Sequence, residues 1–351
     1  MAKTAQISMK FFAHRVGSVP NLTLIERMFE TEHGVLRMLS LDGGGIKALY
    51  SASVLAEWER HMPGSWTQRL DWISGTSSGG ILALGLASGH SASDLTAFFM
   101  KEGPAIFPAP PRGLRAGLHQ LPQTLRQLRL QGKYDPRMLR RALRSLFGDR
   151  CMADLATDVS VAAVNLTTGE HTVFMRSSHP HVRLVDVAMA TAATPGYFPH
   201  HNLNGEWYAD GGLWVNSPTL SGLIHALPKA GTLNQVEIVS IGTVERPEGY
   251  QSSGPPRSLP QWIQRMLHAS TYGQAALTHD AVATFLPRIA PVTRYVRIPP
   301  PTVPWAELGP VRMDTTHPAA LEFLSASGSA EGVSQLQNPS VRAFIALNEH
   351  G

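Results

Sequence analysis

Three short stretches of the 351-residue chain set a serine or an aspartate among consecutive glycines: DGGGIK at 42–47, GTSSGG at 75–80 and DGG at 210–212. GTSSG fits G-x-S-x-G, in which the central serine stands on a sharp strand-to-helix turn with its hydroxyl exposed, so Ser77 is the candidate nucleophile. Gly75 and Gly79 leave room for the bend and for close strand-helix packing. Ser78 then opens the helix, and its N–H, at the positive helix end, can point at an oxyanion. By itself the motif also describes an ordinary structural turn. Gly43, Gly44 and Gly45 add to it, because three glycines after a buried strand bring several backbone N–H groups to one point, a nest for an anion. That anion could be a phosphate or the oxyanion of an attacked ester. Gly43, Gly45 and Ala48 satisfy a loose dinucleotide fingerprint, but the next strand ends in GTSSGG where a ribose-binding acid is needed, and no phosphate-binding G-x-x-x-x-G-K-[ST] occurs. Acyl transfer needs a base for Ser77. Asp210, in WYADGGLW, stands among apolar residues whose desolvation would raise its proton affinity, although an Asp before two glycines is also a common turn.

These residues need elements to hold them. VLRMLSL, 35–41, reads as a buried strand, and Ile46, Leu49, Tyr50, Val54, Leu55 and Trp58 follow near helical spacing. The apolar run 70–74, GTSSGG and ILALGLASG repeat that order. Two strand-turn-helix units in about fifty residues indicate a parallel sheet with helices packed on it. DPRMLRRALRSLFG predicts a helix capped by Asp135, with Pro136 in its first turn and Gly148 as its stop. DVSVAAVNL and HTVFMR flank a hairpin turn at 167–170, and QVEIVSIG, 235–242, is a further buried strand. GPAIFPAPPRGLRAGLHQLP reads as a surface loop or lid. After about 250 the pattern is proline-punctuated and helical.

Composition fits a globular protein: 43% hydrophobic and 16% charged residues exclude a disordered chain. No window reaches the roughly 18 to 20 apolar residues of a membrane span, and no secretory signal is evident, which predicts a cytosolic location. The lone Cys151 excludes an internal disulfide and a thiolate zinc site, and reads as a small packed side chain. The net charge of +4 is uneven: 112–150 holds ten basic residues against two acids.

With the three glycine blocks, the chain resembles the patatin-like phospholipases over most of its length. ATAATPGYFP, 190–199, is similar to that family's approach to the active site, and Asn216, Ser217 and Pro218 to its asparagine-proline element. The resemblance implies an α/β three-layer fold with a mostly parallel central sheet flanked by helices. It implies an arm at 1–33, a catalytic domain at 34–250 with a basic lid-like insertion at 103–150, and a mainly helical part at 251–351 packed on the same domain. It further implies a Ser77–Asp210 dyad cleaving fatty-acyl esters of membrane phospholipids through an acyl-enzyme, with no metal and no cofactor. Gly43, Gly44, Gly45 and Ser78 would hold the oxyanion, supported by Lys47, Gly75, Gly79, Gly211 and Gly212. Lys47, Ala48 and Ser217 depart from the family's frequent arginine, glycine and asparagine. KYDP to FGD (133–149), VNLTTGE (164–170), the pair Arg297, Ile298 and the pair Met313, Asp314 resemble the bacterial branch of antiphage effectors, in which a cyclic dinucleotide activates the lipase against the inner membrane.

Two other readings stay open at this level. One is a cyclic-nucleotide-binding module with a vestigial lipase site; the other is a Ser-His-Asp esterase of α/β-hydrolase type using His268, His279 or His317, with His200 and His201 beside the acyl approach. The basic segment reads first as a solvated face, then as a contact for anionic headgroups, then for a dinucleotide's phosphates, and few aromatics interleave it, which disfavours duplex nucleic acid. A cytosolic lipase needs restraint, which a homo-oligomer, a lid or a missing ligand could each supply.

Overall fold

A computed structural model describes residues 34–62, 66–108, 132–229, 235–243, 254–290, 292–304, 308–309 and 311–346. The expected arm at 1–33 and the stretch 109–131 of the lid-like insertion lie outside them. The strands are β1 (Val35–Leu41), β2 (Trp72–Thr76), β3 (Asp158–Asn165), β4 (Glu170–Met175), β5 (His201–Leu203), β6 (Glu206–Asp210), β7 (Gln235–Ile241) and β8 (Val292–Ile298). The helices are α1 (Ala48–His61), α2 (Ser78–Ala87), α3 (Ala92–Ile106), α4 (Pro136–Phe147), α5 (Leu184–Thr191), α6 (Thr219–Ala226), α7 (Leu259–Ile289), α8 (Pro318–Gln335) and α9 (Pro339–Ile345).

One sheet runs in the order β5-β6-β3-β2-β1-β7-β8, with β4 also paired to β3. The central pairs β3/β2, β2/β1, β1/β7 and β7/β8 are parallel, whereas β3/β4, β3/β6 and β5/β6 are antiparallel. Parallel pairing requires crossovers, and helices supply them. Both sheet faces are covered, so the central strands are apolar almost throughout. Alternation sorts their side chains. Leu39 and Leu41 of β1 enter a large core with α1, α2 and α8 on one face, while Leu36 and Met38 enter a smaller core with Leu223 of α6 and Val282 and Leu286 of α7 on the other.

The longest consequence for the site comes from β3. Its residues 158–162 pair with β2, and its residues 163–165 pair with β6 on the same edge, because β4 occupies the opposite edge over 160–165. Thr76 therefore lies opposite Ala162 and Asp210 opposite Ala163. One strand thus sets the end of β2 beside the end of β6.

Two expectations need correction. β2 ends at Thr76 rather than 74, so Gly75 belongs to the strand and the turn falls on Ser77 alone. The region after 250 is not only helical: VTRYVRI forms β8, an outer strand whose two arginines break the apolar run that marks a buried strand. The α4 caps are as expected, with Asp135 accepting from the Arg137 N–H and Gly148 ending the helix at φ 59°.

Candidate active site

Ser77 has φ 53° and ψ −125°, and among the described residues only Asn204 is another non-glycine residue with positive φ. Such a backbone costs about 1–3 kcal/mol and persists only where its surroundings over-determine it. They do so here. A Cβ at position 75 would overlap the Gly79 carbonyl, and one at 79 would overlap the carbonyls of Leu41 and Asp42. The Ser77 N–H donates to Thr191 Oγ1 at 2.8 Å, and the Thr191 hydroxyl donates to the Ala162 carbonyl at 2.5 Å.

The Ser77 hydroxyl donates to Asp210 Oδ2 at 2.7 Å. The same oxygen accepts from the Thr194 hydroxyl at 2.5 Å, and Oδ1 accepts from the Gly212 N–H at 2.8 Å. Asp210 is buried, and desolvation pushes its carboxyl above the ordinary aspartate range; the hydrogen bonds from Thr194, Gly212 and Ser77 oppose that rise without cancelling it. The pair combines an alcohol, a base of raised proton affinity and a fixed geometry.

The glycine nest is less uniform than three consecutive glycines suggest. The Gly43 N–H is committed to the Asn216 carbonyl at 3.0 Å, and the Gly44 N–H to Ser78 Oγ at 3.2 Å. Gly45, at φ +60°, sits against the Met313 carbonyl, which accepts the Ile46 N–H at 2.9 Å. A side chain at 45 would be strained and would strike that carbonyl. The N–H groups of Gly45 and Ser78 have no partner among the described residues, and both residues line the cleft beside Ser77. Lys47 closes the short turn with its N–H on the Gly44 carbonyl at 3.2 Å. Gly211 packs under the Ala162 carbonyl, beneath Asp210.

The cleft itself is narrow, about 40 Å³, and partly open to solvent, and beyond its polar end its walls are apolar, with Phe98, Phe107, Leu139 and Phe198 among them. Its lining matches apolar groups and leads to Ser77.

Sequence reasoning names Asn216, Arg297 and Asp314 by resemblance alone and gives none of them its contacts around this site. Asp42, fully buried, is gripped by both terminal nitrogens of Arg297 from β8, at 3.0 and 2.5 Å. Asn216 holds the nest from below, its amide donating to the Gly43 carbonyl at 3.2 Å. Asp314 accepts from Lys133 at 2.6 Å and Tyr134 at 2.7 Å, joining two motifs that stand far apart in the chain. Thr191 and Thr194 lie within the stretch singled out at 190–199, but nothing in a threonine's spacing marks it as a partner of Ser77 or Asp210.

No imidazole hydrogen-bonds to Ser77 or Asp210 among the described residues. His279 meets the Tyr295 hydroxyl, His317 caps α8, and His201 lies between Arg140 and Asp186. His200 packs edge-on to Trp207, and His268 is exposed on α7. The basic segment is structural in part where described: Lys133 pairs with Asp314, Arg140 with Asp186, and Arg150 donates to the Ser88 carbonyl, while Arg137 meets Asp135 on the surface. Arg141 and Arg144 remain exposed. Among the described residues no cluster of His, Cys, Asp or Glu is arranged for a metal, and no helix is long and apolar enough to cross a membrane.

Comparison with known proteins finds relatives of this chain. A protein of Pseudomonas aeruginosa described as a cGAMP-activated phospholipase is 39% identical over 59% of this chain and 62% of its own length. One of the same description from Vibrio cholerae is 33% identical over 73% of this chain and 82% of its own. Among solved structures, VipD from Legionella pneumophila covers 89% of this chain and 71% of its own at a TM-score of 0.43 and 14% identity, too loose a likeness to carry any argument about the site. The profile of the patatin-like phospholipases matches residues 39–223, a span that holds all three glycine blocks. The chain belongs to the patatin-like phospholipase family.

Proposed function

We propose that Ser77 and Asp210 hydrolyse fatty-acyl esters of membrane phospholipids, and that a cyclic dinucleotide activates them. The observation that carries the first part is the Ser77 hydroxyl held 2.7 Å from Asp210 on a strained turn at the end of an apolar cleft. The second part rests on relatives described as cGAMP-activated phospholipases.

In the first half-reaction Asp210 takes the proton of Ser77 as Oγ attacks the ester carbonyl. The bond to the lysophospholipid oxygen then breaks, and Asp210 returns the proton to that leaving oxygen. Water, deprotonated by Asp210, attacks the acyl-enzyme; the fatty acid departs and the proton returns to Ser77. Charge on the carbonyl oxygen is met by the N–H groups of Gly45 and Ser78, reinforced by the N-terminal end of α2. Gly44 joins them when the Ser78 hydroxyl turns away, whereas Gly43 serves by fixing the loop to Asn216. The action falls at the inner membrane surface, from the cytoplasmic side, as the family resemblance implies.

The test is free fatty acid release from phospholipid vesicles by wild type and Ser77→Ala, each with and without a panel of cyclic dinucleotides. Release that needs both Ser77 and one dinucleotide is the expected result. Release without ligand removes the signalling half. No release under any condition, with dinucleotide still bound, turns the site into the vestigial one of a binding module.

A further inference from the structure

We infer that the outer face of α7 is the contact surface of a two-fold dimer, and that its partner is a second copy of this chain. The inference stands on α7 alone and does not need the catalytic reading. A 31-residue helix is about 46 Å long, roughly twice the length of the seven-residue strands β7 and β8 that it connects. Only one side of it is used by the fold. Ala275, Thr278, Val282 and Leu286 are buried at helical spacing, and they hold the second half of α7 to the sheet.

The opposite side carries Trp262, Met266, Ala269, Gly273, Leu277 and Asp280, all exposed, at i, i+4, i+7, i+11, i+15 and i+18. That spacing keeps them on one stripe. Trp262 is 46%, Met266 50% and Leu277 71% exposed. α7 shows five large exposed apolar side chains, counting Leu267 and Phe285, whereas α1 and α8 together show only Val333 among the described residues. Apolar surface concentrated in this way marks an interaction site.

The stripe is complementary to itself. An antiparallel pairing about a two-fold axis between Ala269 and Ser270 sets Trp262 against the partner's Leu277 and Met266 against the partner's Gly273. Large then meets large at the ends, a bulky side chain meets a gap inside them, and small residues sit at the centre, where two helix axes must approach. No atom lies within 4 Å of the position a Cβ would take on Gly273, so that gap is open. The same pairing brings Asp280, at one end of the stripe, to the start of the partner's α7. There the helix N-terminus and the exposed Arg257 both favour a negative charge. Such a surface, identical on both copies, is the isologous contact of a closed dimer.

A lipid bilayer fits the stripe less well. The acyl cleft opens at the strand ends that carry Gly45 and Ser77, while the stripe faces away from the sheet and runs about 27 Å along α7, from 262 to 280. A membrane feeding the cleft meets only the half of the stripe that precedes Gln274, which lies level with the nest through Asn216, and leaves Leu277 and Asp280 uncovered, whereas the pairing of two copies uses the whole stripe.

The pairing also touches the site. Gln274, on the flank of α7, accepts from the Asn216 N–H at 3.2 Å, and Asn216 in turn holds Gly43. A braced α7 steadies the nest through that chain of contacts.

The experiment uses the full chain, by sedimentation at tens of micromolar, with and without cyclic dinucleotides. The wild type is expected at twice the mass of one chain. Trp262→Glu with Leu277→Glu should raise the dimer dissociation constant at least about 100-fold, as loss of paired anchor side chains does, with an unchanged Tm at concentrations where both proteins are monomeric. In a Cys151→Ser background, Ala269→Cys should cross-link on oxidation while Val333→Cys should not. Asp280→Arg should weaken the dimer, and Arg257→Asp added to it should restore the dimer. A monomeric wild type under every condition overturns the inference. So does a dimer that survives the paired glutamates or cross-links equally through Val333, and so does a monomer whose binding to anionic vesicles is lost with those glutamates, which would make the stripe a membrane surface.

Discussion

The two faces of the sheet are built to different standards. On one, α1, α2, α3 and α8 enclose a large core in which Trp58, Trp66 and Phe344 are almost completely inaccessible and stack edge to face or tilted. On the other, α6 and α7 bury a much smaller set, and α7 turns tryptophan, methionine and leucine outward. The strained turn at Ser77 belongs to the first face, where α2 is buried along its whole length. A backbone held at φ 53° needs such rigid support, since each neighbour that can relax releases part of the strain. The second face needs no strain, and it leaves apolar side chains of α7 exposed.

The sharpest way to test that division is to remove the reacting groups without disturbing the core. Ser77→Ala and Asp210→Asn should each lower kcat/KM for phospholipid hydrolysis by about four orders of magnitude, since each deletes a step that the remaining group cannot perform. Thermal unfolding should show the first face intact. A variant that keeps a tenth of wild-type activity would place the chemistry elsewhere.

Arg297→Met comes next, because it strikes where β8 reaches over β7 to the nest. Removing one partner of a buried ion pair leaves Asp42 charged and unpaired, at a cost of about 3–5 kcal/mol, read by urea unfolding. Adding Asp42→Asn should recover a large part of that loss. An Arg297→Met protein as stable as wild type would mean that the pair braces nothing.

Two tryptophans then compare the faces directly. Trp58 is fully buried and its indole N–H donates to the Gly332 carbonyl at 3.1 Å, so Trp58→Ala should cost about 3–5 kcal/mol. Trp262→Ala, measured where the chain is monomeric, should stay within about 0.5 kcal/mol. Equal losses at the two positions would show that α7 is packed as firmly as α1.

The residues proposed to do the chemistry are marked in the sequence because their demands are local. Ser77 needs glycines two residues to either side, and Asp210 and the nest are marked by glycines of their own. The same is true of α4, whose cap, proline and terminal glycine lie within fourteen residues. What could not be read is what depends on partners distant in the chain. Arg297 reaches Asp42 only because β8 docks beside β7, and the arginines that make the strand useful also hide its apolar pattern. Gly43 spends its N–H on Asn216, 173 residues later, so three glycines of equal appearance have unequal roles. The charge count of 112–150 was likewise misleading in part, since Lys133 and Arg140 are consumed by Asp314 and Asp186.

The smallest effect expected is on pH dependence, and it probes how finely the first face tunes its base. Asp210 acts as a base only when ionised, so the rate should rise with pH as it loses its proton. Burial places that acid limb above the ordinary aspartate range. The hydroxyl of Thr194 donates to the carboxylate and favours the charged form, which holds the limb lower than burial alone would. Thr194→Val keeps the shape of the side chain and deletes that donor, so the limb of kcat/KM should move to higher pH, with the plateau above it nearly unchanged. A limb that moves down, or a plateau that collapses with no shift, would mean that Thr194 positions Asp210 rather than setting its proton affinity, and the ruler provided by β3 would then be insufficient to hold the pair.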